Sequence, residues 1–369
     1  MYTLPAKSIG ISAIAAHQPA WRLSNDWFQD VPRKFVQHTG IQTRSISQRD
    51  EVSMAARAVE NLVSQTGCDL RDCSGIVFAS PSFVPLSVAR RYFNPDRVMR
   101  ERLRRAARRV AVTLGIPQTP VAGINWFCSG YSRAMEIVQR SVDRSLKLRP
   151  DQFVLVVTSS RISRITDYAN AQTAPLFGDM ATATLISRCD SAKYPVHFRL
   201  ALSFAEKAPA AGVFFDYELR RNVPVPLHCG GRTTAPKRVV FKLEGMGIAD
   251  AAPRAMSNAV EEALRIGGRS AEEVRYVVPH QAGTGIVRMT QMKLEQQLGL
   301  RCEVVNGLTS QVGNVSCCSI PYALMQTWPR LSGLIACPTA AVGNPGKAEV
   351  SQGCVLLEST RRHDLAATA

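Results

Sequence analysis

Two kinds of hydrophobic pattern alternate along the chain, and each predicts a different element. Short runs of apolar, often β-branched residues occupy 8–15, 75–79, 123–127, 153–158, 181–186, 239–243, 276–279 and 355–357. Longer stretches, with apolar positions three or four residues apart, occupy 51–65, 129–143, 252–264, 283–298 and 320–332. The first pattern predicts buried strands and the second predicts amphipathic helices. Their alternation predicts an α/β protein whose helices cover a largely buried sheet.

The order of these elements in the first half of the chain is repeated in the second half. A helix, an acidic turn and a strand at 55–79 are echoed by the same features at 255–279. No literal repeat period is present, so we predict two duplicated halves rather than a repeat array. We place an N-terminal half at 1–188 and a C-terminal half at 238–369. Between them, 189–237 forms a connecting segment rich in proline and aromatic residues.

Composition and charge narrow the class of protein. The chain has 369 residues, of which 46% are hydrophobic and 20% charged, which is typical of a soluble globular protein of about two domains. It has neither an apolar run of roughly 18 to 20 residues, the length that spans a bilayer, nor a signal-like start. We therefore expect a cytoplasmic protein. The 45 Lys and Arg against 29 Asp and Glu give a net charge of +16, which predicts an acidic partner.

Much of the positive charge is concentrated in one segment. Nine arginines lie between Arg90 and Arg109. Residues 97–110 have the pattern of an amphipathic helix, with an apolar stripe formed by Met99, Leu103, Ala106 and Val110. Three interpretations remain open: a solvated helix face, a docking surface for an acidic protein, or a nucleic-acid site. The last is the weakest, because only Tyr92 and Phe93 could stack on bases among these arginines.

Cys128 is the first candidate for a catalytic residue. It lies in Gly-Ile-Asn-Trp-Phe-Cys-Ser-Gly-Tyr at 123–131, where a predicted strand ends and a predicted helix begins. The positive end of a helix favours thiolate over thiol, so a cysteine in this position is expected to be a nucleophile. The other nine cysteines have no paired spacing typical of a zinc site, and we expect no metal.

Two polar residues in the second half are further candidates. His280 follows a predicted buried strand in Tyr-Val-Val-Pro-His-Gln-Ala at 276–282, and a neutral imidazole there can donate or accept one proton. Asn314 lies in Gln-Val-Gly-Asn-Val-Ser-Cys-Cys-Ser-Ile-Pro at 311–321, in a turn that Gly313 permits. Taken alone, each is more simply explained as a structural residue. The order Cys, His, Asn favours a shared site.

These motifs, in this order, resemble those of the β-ketoacyl-acyl carrier protein synthase III family of the thiolase superfamily. The resemblance runs from about residue 8 to residue 358. The motifs that carry it are Thr39-Gly40-Ile41 with Thr43-Arg44, Cys128-Ser129-Gly130-Tyr131, Phe177-Gly178-Asp179, Pro279-His280-Gln281-Ala282, and Gly313-Asn314-Val315-Ser316 leading to Ser319-Ile320-Pro321. The resemblance implies a thiolase-like five-layered αβαβα fold built from two duplicated halves, and a homodimer.

The resemblance also implies an activity and the role of each residue. Cys128 would attack an acyl thioester and hold the acyl group. Malonyl-acyl carrier protein would lose CO2, and the resulting carbanion would attack the acyl-enzyme in a decarboxylative Claisen condensation that gives a β-ketoacyl product. His280 and Asn314 would donate hydrogen bonds to the malonyl thioester oxygen. No cofactor is implied, because the thioesters of CoA or phosphopantetheine are themselves the substrates.

The sequence departs from the family pattern in the regions that contact substrate. Lys34 and His38 stand where relatives that use acyl-CoA carry a Trp and an Arg, and an arginine-rich insertion occupies about 85–120. We therefore predict a specialised fatty-acid or secondary-metabolite enzyme, whose primer is carried by CoA or by a carrier protein. Arg288 and Lys293 are further candidate contacts to an acidic carrier.

Three alternatives to a condensing enzyme remain open. An acyltransferase of the same fold would pass the acyl group to an alcohol or amine, with His280 as general base. A non-catalytic partner subunit would lack part of the site, whereas Cys128, His280 and Asn314 are all present. A nucleic-acid-binding protein would rest on the arginine-rich segment alone. Neither nucleic acid nor a membrane is the expected partner.

Overall fold

The computed structural model describes residues 8–28, 30–83, 95–228, 230–244 and 247–360. The α-helices are α1 (Phe35–Thr39), α2 (Glu51–Thr66), α3 (Pro95–Thr113), α4 (Gly130–Arg144), α5 (Gly247–Gly267), α6 (Thr284–Leu298) and α7 (Ser319–Thr327). The strands are β1 (Ile9–His17), β2 (Arg22–Ser24), β3 (Thr43–Ser45), β4 (Cys73–Ala79), β5 (Val121–Ile124), β6 (Phe153–Ser160), β7 (Met180–Arg188), β8 (Phe198–Pro209), β9 (Phe214–Pro226), β10 (Arg232–Glu244), β11 (Val274–Val277), β12 (Glu303–Val304), β13 (Leu334–Val342) and β14 (Glu349–Ser359). The predicted α/β class is confirmed.

Ten strands form one continuous hydrogen-bonded sheet with the order β12-β11-β13-β14-β8-β1-β7-β6-β4-β5. It consists of two groups of five strands with the same topology. In each group, two parallel pairings (β4 with β5 and β6, β11 with β12 and β13) are followed by antiparallel ones. The groups join through a short antiparallel pairing of β1 with β8 at Gly10 and Ile11. This internal symmetry is consistent with the predicted duplication.

The hydrophobic core is divided into layers. The helices α4 and α7 lie in the middle, where Tyr131, Met135 and Leu324 pack against buried residues from both groups of strands. The outer face of the first group is covered by α2 and α3, through residues such as Leu62 and Val110. The outer face of the second group is covered by α5 and α6. The resulting layers are helix, sheet, helix, sheet, helix.

Both predicted halves contribute strands to this sheet, and so does the segment between them. The strand β8 lies inside the segment 189–237 that we expected to be a connection, and it pairs with β14 along nearly its whole length. The predicted strand at 239–243 belongs instead to a two-stranded hairpin, β9–β10, outside the ten-stranded sheet. Neither β8 nor β13 was predicted, because their partly polar or proline-containing sequences lack a clean apolar run. The boundaries at 188 and 238 stay predictions.

The arginine-rich segment forms a helix longer than predicted. The helix α3 begins at Pro95 and ends at Thr113, and Leu103, Ala106 and Val110 of its predicted apolar stripe are buried. Arginines at 100, 104, 105 and 109 are exposed. Arg90 and Arg91 lie outside the described residues. Within the described ranges, no helix is long and apolar enough to cross a membrane, and no group of three or more His, Cys, Asp or Glu could hold a metal ion.

Candidate active site

Cys128 lies in the tight turn that joins β5 to α4. A 3₁₀ helix covers Phe127–Ser129, and α4 begins at the next residue. Phe127 has a positive φ of 44°, an uncommon conformation for a residue with a side chain, and Asn125 Oδ1 accepts a hydrogen bond from its backbone N–H at 3.2 Å. Ser129 Oγ donates to the carbonyl of Ser351 at 3.1 Å. The turn is thus held from both of its ends.

The environment of Cys128 keeps its thiol protonated at rest. The side chain is partly buried and packs beside an apolar cluster that includes Phe127, Phe215 and Phe241. Burial raises the pKa of Cys128 to about 11, although the hydroxyl of Ser316, which donates to the sulfur at 3.5 Å, acts in the opposite direction. The expected thiolate is therefore not the resting form at neutral pH. Because desolvation favours the neutral thiol, the proton must leave as the sulfur attacks.

His280 is held by the backbone of β13. Its N–H donates to the carbonyl of Pro338 at 2.9 Å, and Val278 N–H donates to Ala336 at 2.8 Å, so the chain continues in extended form past β11. The residue is 2% exposed, and burial lowers its pKa to about 4, so the imidazole is neutral at pH 7. Within the described part of the chain, Nδ1 has no hydrogen-bond partner. Gln281 fixes the following turn through the hydroxyl of Ser319.

Asn314 is oriented through both its backbone and its side chain. Its N–H donates to the carbonyl of Leu176 at 2.8 Å, and its own carbonyl accepts from Gly178 N–H at 3.0 Å. The side-chain oxygen accepts from Ser316 N–H at 2.9 Å. This bond orients the side chain, whose only hydrogen-bond donor is the Nδ2 group.

The segments that carry the three candidates meet where the two halves join. The turn at Phe127–Ser129 packs against the turn at Ser316–Cys318 and against β13, the strand that holds His280. Ser316 was not predicted as a site residue, yet it touches both the Cys128 sulfur and the Asn314 side chain. In the sequence, the only indication of a role for Ser316 was its position two residues after Asn314 in the same motif. Its positive φ of 53° shows that the tertiary structure holds this turn against its local preference.

The four predicted substrate or carrier contacts lie on two neighbouring helices. The start of α6 packs on the end of α1, where Thr284 Oγ1 donates to the carbonyl of His38 at 3.4 Å. We call the exposed surface of these helices the α1–α6 face. It presents the charged or polar residues Lys34, His38, Arg288 and Lys293, and the exposed apolar residues Val36, Met289 and Met292.

A cavity of about 810 Å³ adjoins the segment before Cys128. Its walls include Met99 and Leu103 of α3, Trp126 and Phe127, and the loop 343–347, so both halves contribute. Two cations lie over the Trp126 ring, the Arg133 guanidinium at 5.1 Å and the Lys207 ammonium at 5.0 Å from the ring centroid. The volume is in the range of small-molecule sites, which commonly form between domains.

Comparisons with known proteins place the chain near one group of enzymes. Residues 123–201, which include Cys128 and the Phe177-Gly178-Asp179 motif, match the model of the 3-oxoacyl-[acyl-carrier-protein] synthase III family. The chain is 26% identical over 323 residues to β-ketoacyl-[acyl-carrier-protein] synthase III of Neisseria gonorrhoeae, covering 85% of this chain and 88% of that one.

Two solved structures share the architecture. The 3-oxoacyl-(acyl carrier protein) synthase III of Pseudomonas aeruginosa is 20% identical, with a TM-score of 0.71 over 96% of this chain and 99% of that one. The priming β-ketosynthase of the R1128 polyketide pathway is 19% identical, with a TM-score of 0.63 over 96% of this chain and 97% of that one. The five layers, the motifs and these matches agree: the chain has the thiolase-like fold of these solved structures and is similar in sequence to the β-ketoacyl-acyl carrier protein synthase III enzymes.

Proposed function

We propose that the protein is an acyl-thioester condensing enzyme. The Cys128 sulfur attacks the carbonyl of a primer thioester, the thiol of the donor leaves, and the acyl group is held on the enzyme. Malonyl-acyl carrier protein then loses CO2. The carbanion left behind attacks the acyl carbon, and the Cys128 sulfur leaves to give a β-ketoacyl product. The substrates bring their own CoA or phosphopantetheine, and the proposed reaction needs no other cofactor.

The observation that carries this proposal is that the turn of the partly buried Cys128 packs against the turn that follows Asn314 and against β13, whose backbone holds His280. Decarboxylation places negative charge on the malonyl thioester oxygen, and fixed donors in a dry pocket stabilise that charge. The hydrogen bond from Ser316 N–H to the Asn314 side-chain oxygen orients the amide, and its Nδ2 hydrogens are the donors for this task. The pKa of His280, lowered to about 4, keeps its imidazole neutral, with one N–H available to donate.

A second function on the same fold is transfer of the acyl group to an alcohol or amine. The unpartnered Nδ1 of His280 supports this candidate, because a neutral imidazole with an open nitrogen can act as a base. The oriented amide of Asn314 favours condensation instead, because such a transfer needs no donor at a malonyl oxygen. A non-catalytic subunit is disfavoured, since the candidate residues are all present.

The two functions can be separated by one experiment. The protein is first exposed to a panel of acyl-CoAs and acyl carrier proteins, and the mass added at Cys128 is read by mass spectrometry. The acylated protein is then mixed with malonyl-acyl carrier protein. We expect release of CO2 together with a β-ketoacyl product. Loss of the acyl group to an alcohol or amine without CO2 release would contradict the condensing function.

We propose that an acidic carrier protein docks on the α1–α6 face. The exposed Val36, Met289 and Met292 offer apolar surface, and the exposed Arg288 and half-buried Lys293 on the same helix as the two methionines offer positive charge. Surface charges chiefly affect association, so they are expected to change KM for the carrier rather than kcat. The arginines of α3 remain a second candidate surface for this partner.

Charge removal on the α1–α6 face tests this docking surface. The double variant Arg288→Gln/Lys293→Gln is expected to raise KM for malonyl-acyl carrier protein by about tenfold at low salt, with kcat unchanged, and the difference should shrink at high salt. Arg301→Gln, an exposed cation beyond the end of α6, is the matched control. An unchanged KM in the double variant would exclude this face.

We also propose a homodimer. The strand β5 is at the outer edge of the sheet, and each residue from Val121 to Ile124 is partly exposed. An edge strand presents unpaired backbone groups, which a second copy of the chain can satisfy. The short loop from β5 to Cys128 would then lie close to the interface.

A further inference from the structure

We propose that Arg44 and Asp179 are positioning residues that together hold Asn314 in its donating geometry. The inference rests on the proposed function of Asn314 and extends it to two buried ionisable residues that do not themselves contact substrate. Both belong to motifs of the sequence, Thr43-Arg44 and Phe177-Gly178-Asp179. The proposed condensing reaction gives neither motif a direct chemical role.

The first step is that Asn314 is held by the segment between Pro175 and Asp179. Phe177 and Asn314 form a parallel bridge, with hydrogen bonds from Asn314 N–H to Leu176 and from Gly178 N–H to Asn314. The position of the amide therefore depends on the position of this segment.

The second step is that Arg44 holds the beginning of the segment. Its guanidinium donates to the carbonyl of Pro175 through Nε at 3.1 Å and through Nη2 at 2.8 Å, and to the carbonyl of Leu23 at 2.9 Å. The residue is fully buried, none of these acceptors is a carboxylate, and burial lowers its pKa to about 10. A buried cation is costly, and this one is held almost entirely by backbone and amide oxygens.

The third step is that Asp179 holds the end of the segment. Its Oδ2 accepts from Ser47 N–H at 2.8 Å and from Ser163 Oγ at 2.6 Å, and its Oδ1 accepts from Ser163 N–H at 3.0 Å. Its backbone N–H donates to the carbonyl of Ser45, and its carbonyl accepts from Ser45 Oγ at 2.6 Å. The carboxylate thus joins the end of this segment to two other loops.

The fourth step is that the segment and the Asn314 turn have no space between them. A Cβ added at Gly178 would lie 1.9 Å from the carbonyl oxygen of Val312, and Gly313 has a φ of 74° with a Cβ position 2.9 Å from that of Arg44. Because the backbones are in direct contact, a shift of the segment must move Asn314. Neither of these two glycines has free space around it that could absorb the shift.

The protonation of Asp179 gives this arrangement a pH dependence. Burial raises its pKa to about 6, while hydrogen bonds from Ser47 and Ser163 and the charge of Arg161 act in the opposite direction. Arg238 and the buried hydroxyl of Tyr168 are the other ionisable groups that interact with it. Above pH 6 the carboxylate accepts all three hydrogen bonds. Below pH 6 one oxygen becomes a donor and at least one of these bonds is lost.

The test measures the Asn314 side chain and the reaction separately. In protein labelled with ¹⁵N-asparagine, the Asn314 amide resonance, assigned by its loss in Asn314→Ala, is expected to move with pH with a midpoint near 6. In Asp179→Asn it should not move. In the condensation assay, wild-type kcat is expected to fall as the pH falls through 6, with KM within about twofold. Asp179→Asn should lower kcat by about tenfold at pH 8 and remove the dependence.

The matched control is Asp167→Asn, which changes a buried aspartate paired with Arg220 and is expected to leave both titrations in place. Arg44→Met should lower kcat, and Arg44→Lys should recover part of the loss, with acylation of Cys128 unchanged in both. Two results would overturn the proposal: an Asn314 resonance that still titrates near pH 6 in Asp179→Asn, or one that titrates in neither the wild type nor Asp179→Asn. Both results can be read even if the protein has no condensing activity. Absence of CO2 release with an intact resonance titration would instead overturn only the condensing function.

Discussion

Replacement of Cys128 by alanine is expected to abolish acyl-enzyme formation and to lower condensation by on the order of 10⁴-fold or more. The reason is that Cys128 is the nucleophile of the proposed reaction, so its loss removes the group that holds the acyl chain. The His280 and Asn314 donors remain in this variant, so malonyl-acyl carrier protein should still lose CO2 slowly. Intact-protein mass spectrometry after incubation with the primer measures acyl-enzyme formation. CO2 release from malonyl-acyl carrier protein measures the remaining decarboxylation.

Cys189→Ala is the matched control, because Cys189 is another partly exposed cysteine and lies at the far end of β7. It should acylate and condense like the wild type. A Cys128→Ala protein that still gains the acyl mass would place the nucleophile elsewhere, with Cys317, in the turn that packs against the Cys128 turn, as the next candidate.

Removal of either donor to the malonyl oxygen should have the second largest effect. His280→Ala and Asn314→Ala are each expected to lower decarboxylation by about 10²–10³-fold, the range found when one donor of an oxyanion hole is lost. Acylation of Cys128 should change much less, because the charge in that step develops on a different oxygen. Single-turnover acylation, followed by CO2 release from malonyl-acyl carrier protein, separates the two steps.

The matched control for these variants is Asn306→Ala, which removes an amide that donates to the carbonyl of Thr284 at the start of α6. Equal losses in acylation and decarboxylation would show that His280 acts as a general base for acyl transfer. That result would favour the acyltransferase alternative.

Several features of this protein could be predicted from short-range patterns. The alternation of apolar runs and amphipathic stretches predicts the α/β class, because burial on a sheet and on a helix imposes different periods. The position of Cys128 before α4 could be predicted because it needs only a strand, a turn and a helix in succession. The apolar stripe of α3 follows from spacing alone.

Other features could not be predicted because they depend on contacts between distant segments. The strands β8 and β13 are strands only because the sheet surrounds them on both sides, whereas their own sequences contain polar residues or a proline. The role of Ser316 depends on a turn conformation that its neighbours enforce. The raised pKa of the Cys128 thiol could not be predicted for the same reason, since it arises from burial beside distant residues such as Phe215 and Phe241.

The sequence by itself determined the layered α/β architecture, the order of the candidate residues and the positive charge. Each of these is a property of local periodicity, motif or composition. Only the tertiary structure decided the protonation of Cys128 and His280, the orientation of the Asn314 amide and the link from Arg44 and Asp179 to that amide. These depend on burial and on hydrogen bonds between residues up to about 270 positions apart, as between Ser45 and Val312.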